Sequence, residues 1–167
     1  MNRILIVLLV SISLTSCYSY KIFPKEYRNF SYSGEKETAY VINPELKKEN
    51  DILKQSGIFA FTNDSLNKDC VKIKLHPLKR NYSCGQPIIA SAFTLGQFPV
   101  YFPDRYQYEF EEISTSGTTI KKFELQVAER FWFWDMFVIH KNFKQKAGKV
   151  LLGNYYKKDP VIGLRNK

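Results

Sequence analysis

The stretch "YQYEFEEISTSGTTIKKFELQV", Tyr106 to Val127, decides the fold class. Tyr106, Tyr108 and Phe110 alternate with Gln107, Glu109 and Glu111; beyond Ser114-Thr115-Ser116-Gly117, Phe123, Leu125 and Val127 alternate with Lys122, Glu124 and Gln126. A period of two sends one set of side chains into a core and the other into water. The serines, threonine and glycine between the runs supply turn chemistry. An antiparallel hairpin with one buried face follows.

The same pattern continues upstream. In "CVKIKLHP", from Cys70, Val71, Ile73 and Leu75 alternate with Lys72, Lys74 and His76, which makes a half-buried strand with His76 on the solvent side beside the lysines. "GIFAF", from Gly57, reads as another strand, and "PIIASAFTLG", bounded by Pro87 and Gly96, as a buried central one. Helices flank this region. Asn43-Pro44-Glu45 offers a capping side chain, a proline at the first helical position and an acid near the positive end of the dipole, with Leu46, Ile52 and Leu53 as the apolar side and Gly57 as the stop. From Asn142, which offers a capping side chain, to Gly153, Phe143, Ala147, Val150 and Leu151 share one helical face. The expected fold is α+β: a mainly antiparallel sheet of five to seven strands with a short helix near each end. Residues 38–167 form a single globular domain, preceded over 17–37 by a tether that contributes an edge strand at most.

Aromatic residues make up 16% of the chain and hydrophobic residues 44%, which excludes a disordered tail despite the charge. The charge itself is +9, from 25 Lys and Arg against 16 Asp and Glu. Such a balance suits anionic surfaces: lipid head groups, lipopolysaccharide or another acidic envelope polymer.

The N-terminus says where such surfaces would be met. Asn2 and Arg3 give a short polar, positive start, Ile4 to Leu14 an apolar run, and Thr15 and Ser16 small residues before Cys17. This is the layout of a secretory signal. A membrane span needs about 20 apolar residues, and the run supplies roughly half. Leu14-Thr15-Ser16-Cys17 resembles the lipobox of bacterial lipoprotein precursors. The resemblance covers the first 17 residues, 1–16 as signal peptide, and implies a diacylglyceryl group on the Cys17 sulfur and cleavage just before it. Tyr18 stands where an aspartate, by resemblance to enterobacterial lipoproteins, favours inner-membrane retention, so an outer-membrane anchor facing the periplasm is expected. The membrane is thus one partner and an envelope protein another; nucleic acid is set aside, because an exported chain rarely meets it.

With Cys17 committed to lipid, Cys70 and Cys84 lie fourteen positions apart in a compartment that permits disulfides. A bridge would contribute about 3 kcal/mol by chain-entropy reasoning. Buried thiols compete with this reading. A metal site with His76 is disfavoured by the ligand spacing, and neither metal nor cofactor is expected.

"RFWFWDMFVIHKNF" remains. Phe131 to Ile139 holds a single charge, Asp135. A central strand buried on both faces is the first reading; a surface that docks a partner and insertion at the lipid interface are the others. Phe131, Trp132, Phe133 and Trp134, with Lys144 and Lys149 of the following helix, are the candidate contact residues. No G-x-S-x-G, H-E-x-x-H or S-x-x-K pattern is present, and Glu109, Glu111 and Glu112 read as solvated strand acids. The expectation is a non-enzymatic, lipid-anchored envelope protein, an accessory or interaction subunit, with a binding module for anionic lipid or glycan as the alternative.

Overall fold

The computed structural model describes residues 18–64, 70–81, 97–114, 117–132, 134–135 and 142–158. Its frame is the hairpin. Strands β6 (Val100–Ser114) and β7 (Gly117–Phe131) pair antiparallel along their whole length, from Val100↔Phe131 to Ser114↔Gly117. As the alternation requires, Tyr106, Tyr108, Phe110, Phe123, Leu125 and Val127 are all buried. On the opposite face Lys122 pairs with Glu109 at 3.3 Å, Lys74 with Glu111 at 3.4 Å and Arg105 with Glu124 at 3.6 Å.

The remaining strands extend this frame on both sides. They are β1 (Tyr18–Phe23), β2 (Thr38–Val41), β3 (Ala60–Phe61), β4 (Val71–Leu75) and β5 (Lys79–Asn81). The order among the described residues is β1-β7-β6-β4-β2-β3, with β5 also on β6. Every pairing that involves β6 or β7 is antiparallel, whereas β2 runs parallel to both β3 and β4. The parallel part has a topological cause. Helix α1 (Lys47–Ser56) intervenes between β2 and β3, and a crossover of that kind returns the chain in the same direction. With helix α2 (Phe143–Lys158) at the other end, the architecture is α+β with a mixed, mainly antiparallel sheet.

Both helices lie on the apolar face. Ile52 and Leu53 of α1 and Ala147, Val150 and Leu151 of α2 join Ile73, Leu75 and the inward residues of the hairpin in one core. Phe110 is fully buried, with the rings of Phe59, Tyr108 and Phe123 centred 5.8–6.3 Å away. The Tyr108 hydroxyl donates to the Glu49 carbonyl at 2.9 Å, so this ring ties sheet to helix. Burial pushes its phenol above the ordinary value, with the Glu49 charge adding to the effect.

Three local readings change. Asn43 does not cap α1: its amide Nδ2 donates to the Leu75 carbonyl at 2.9 Å and its Oδ1 accepts from Leu75 N at 2.8 Å. The side chain thereby acts as one more rung beside β4, and the helix begins four residues later. Residues 18–23, expected within a tether, form β1 and pair with β7 from Tyr18↔Phe131 to Phe23↔Gln126. Ile22, buried at 6% exposure, supplies the apolar contact that draws this edge strand onto the sheet. α2 does not end at the expected bound, Gly153. The helix runs on to Lys158, and a Cβ at Gly153 would come within 2.5 Å of the Tyr27 ring, so the glycine serves close packing. Asn142 and Gly57 act as the sequence suggests: Asn142 Oδ1 accepts from Gln145 N at 3.0 Å, and Gly57 ends α1 at φ +67°. The expected strand over 87–96 lies outside the described residues.

Where α1 and α2 cross, Gly148 meets the α1 backbone. A Cβ there would lie 2.8 Å from Gln55 C and Ser56 N, atoms that can yield only if the helices move apart. Gly148→Ala gains about 1 kcal/mol of helix propensity but meets an overpacking cost of about 1–3 kcal/mol. The expected result is a net loss near the middle of that difference, seen as a lower urea midpoint.

Candidate functional site

One end of the sheet concentrates the features that the hairpin core does not use. Tyr18, Phe131 and Val100 form a single row across β1, β7 and β6. Beyond that row the chain leaves strand geometry. Phe98, just before β6, is 68% exposed, and Trp134, just after β7, is 52% exposed. The Trp132 indole Nε1 donates to the Gln97 carbonyl at 2.9 Å, which joins the two approaches to the sheet.

Over its described residues, the first reading of this aromatic stretch, a central strand, is corrected. β7 ends at Phe131, and Asp135 N bonds back to the Trp132 carbonyl at 3.0 Å in a tight turn. The reason is the single charge. Asp135 is 1% exposed, and a carboxylate so placed requires partners. It finds them by folding back. Arg130 Nε donates to Asp135 Oδ2 at 2.9 Å, its Nη2 donates to Oδ1, and the Ser19 hydroxyl donates to Oδ2 at 2.7 Å. Arg130 also stacks 5.0 Å from the Trp132 ring centre. One buried ion pair therefore fixes the orientation of the aromatic end. Phe133 and residues 136–141, which include His140, lie outside the described residues.

Beside this end, along the outer edge of β1, runs a cleft of about 210 Å³, lined among the described residues by Ser19, Tyr20, Lys21, Ile22, Arg28, Arg130 and Lys146. The edge carbonyls are covered by cations: Lys146 Nζ donates to Tyr20 O, and Arg28 Nη2 to Ile22 O at 3.5 Å. Such cover blunts a strand edge against further pairing. Lys21 reaches Tyr101, donating to its hydroxyl and lying 4.3 Å from its ring centre.

Lys144 and Lys149 turn toward the protein. Lys144 pairs with Asp51 on α1 at 2.5 Å, and Lys149 donates to the Arg28 carbonyl at 2.8 Å, so each holds α2 to a neighbouring element. Cys70 is buried just before β4, whereas Cys17 and Cys84 lie outside the described residues. His76 sits 2.8 Å from Glu111, and that hydrogen bond, with Lys74 nearby, holds the Glu111 carboxyl below its usual value. Glu112 accepts from the Tyr155 hydroxyl at 3.2 Å.

Sequence reasoning missed the Arg130–Asp135–Ser19 cluster and the cationic cleft. A lone aspartate in an apolar run signalled the first. The second joins Lys146 to Tyr20 across 126 positions and has no local signature. Compared with known proteins, the chain matches no family model and no curated protein.

Proposed function

We propose that this is a lipid-anchored protein of the bacterial cell envelope, held through an acylated Cys17 in the outer membrane, facing the periplasm, with the aromatic end of its sheet resting on that membrane. The observation that carries this reading is the register Tyr18↔Phe131, which puts the residue following Cys17 in the same row as the base of the Trp132–Trp134 turn. An anchor at Cys17 and the exposed rings of Phe98 and Trp134 then address one surface. Tryptophan is at home at the level of the head groups, and each buried methylene of an acyl chain contributes about 0.8 kcal/mol to anchoring. The role that suits such a domain is accessory and non-catalytic. Glu109 and Glu111, the acids most available for chemistry, are engaged with surface lysines.

Docking of the same aromatic end on an envelope protein is the competing reading, and one experiment separates the two. A photoreactive phenylalanine analogue replaces Trp134 in cells, followed by mass analysis of the adducts without reductant. Adducts of lipid mass on a chain beginning at acylated Cys17 are expected. One discrete protein adduct would transfer the aromatic end to a partner. The same spectrum reads the Cys70–Cys84 bridge as the loss of two hydrogens.

A further inference from the structure

The hairpin outruns the strands beside it. β1 covers the outer edge of β7 from Phe131 only as far as Phe23↔Gln126, and just beyond, Asn154 Nδ2 of α2 donates to the Glu124 carbonyl at 2.8 Å. That bond shows which way the edge faces. The Glu124 carbonyl points away from β6, and the alternation of an antiparallel ladder turns the N–H and C=O of Lys122, Ile120 and Thr118 the same way. Among the described residues no strand pairs with this stretch on its outer side. Residues 117–120 and Lys122 are exposed, and a Cβ on Gly117 would meet nothing within 4 Å. Such a row of backbone groups is a template for a further strand. Other edges of the sheet are protected: β3 is only two residues long, and Arg28 and Lys146 cover carbonyls of β1.

We propose that the outer edge of β7 from Thr118 to Lys122 takes an extended, acidic segment of an envelope protein as an added strand. Charge and geometry select this occupant. At a net charge of +9 the chain attracts an acidic segment and repels a second copy of itself. Lys121 and Lys122 place cations on both faces of the edge, and Lys122 keeps 59% exposure beside Glu109. The attraction acts through the whole field and requires neither lysine to be unpaired. A second copy also fails on geometry, an exclusion that rests on the membrane seating proposed above. Antiparallel pairing of two β7 edges points the aromatic ends in opposite directions, so one membrane cannot receive both. Parallel pairing sets Lys121 and Lys122 of one copy beside those of the other, and like charges so placed are destabilising. Ile120, 56% exposed, lies eleven residues along β7 from Phe131, so a seated aromatic end leaves this edge up to about 36 Å from the lipid. Backbone pairing there supplies affinity, and Ile120 a cross-strand contact for an apolar side chain of the partner.

The test is hydrogen exchange of single backbone amides, read by NMR on the full lipidated chain in uncharged detergent. The probe is a short capped peptide that alternates glutamate and valine. In the free protein Thr118, Ile120 and Lys122 are expected to exchange fast, and Thr119 and Lys121, whose N–H groups face β6, slowly. Peptide at about ten times its Kd should slow the three fast amides about tenfold. The same peptide with lysine in place of glutamate should leave them fast. Ile120→Pro removes the middle donor at a position where an edge strand tolerates proline, and should weaken the peptide about fivefold. Slow exchange at buried Phe123 and Leu125 shows that this variant is folded. Slow exchange of the three amides before peptide is added overturns the proposal, and release on dilution would then assign the edge to a second copy. Absence of protection by the glutamate peptide overturns it too, as does equal protection by the lysine peptide or undiminished binding by folded Ile120→Pro. Because the measurement needs no bilayer, its outcome is independent of whether Trp132 and Trp134 reach lipid, and the two readings fail separately.

Discussion

Asp135→Ala is expected to cost the domain about 3–5 kcal/mol, the loss typical of breaking a buried ion pair by removing one partner. The side chain has no solvent exposure and Arg130 little, so water cannot take over the lost bonds. The substitution leaves Arg130 facing a cavity and deprives the Ser19 hydroxyl of its acceptor. Asp135→Asn preserves the shape and one acceptor, and should cost less than the alanine change. Urea unfolding followed by tryptophan emission measures both, because the turn that Asp135 closes carries Trp132 and Trp134. A loss within about 0.5 kcal/mol, the range of ordinary surface substitutions, would mean that the ion pair does not hold this end.

Phe110→Ala is expected to have a comparable effect through a different cause. The ring is fully buried among Phe59, Tyr108 and Phe123, and large-to-small changes of this kind cost about 3–5 kcal/mol through lost transfer energy and the cavity left behind. Phe110 also stands opposite Leu75 of β4 and Lys121 of β7, at the centre of three strands. The neighbouring backbone is tied by ladder bonds on both sides, so the cavity cannot close by collapse. Both urea and thermal midpoints should fall, without change in the slope that reports exposed surface.

The strongly alternating segments were legible in the sequence. Over Tyr106–Phe110 and Phe123–Val127 each inward position is apolar and each outward one polar, so local pattern and tertiary burial agree. β4 follows the same rule. Less legible were the places where a polar residue answers to a distant partner. Asn43 carries every mark of a helix cap, yet the backbone of Leu75 offers both a donor and an acceptor, and the bidentate contact wins. Asp135 sits in an apolar run that reads as buried strand, and its carboxylate turns the chain instead. The helical pattern reads only as far as Gly153, where the missing side chain serves close packing on Tyr27 and the helix runs on. The basic cleft is assembled by the fold from four segments, each of which reads alone as solvated charge.

The seating of the aromatic end on the membrane can be measured directly, because the chain has two tryptophans and both lie there. The lipidated protein is reconstituted into vesicles whose acyl chains carry bromine near the head group or near the bilayer centre. Strong quenching of tryptophan emission by the shallow bromines, with little by the deep ones, is the predicted result. Emission unchanged by bromine at either depth would contradict the seating and leave the aromatic end to a protein partner.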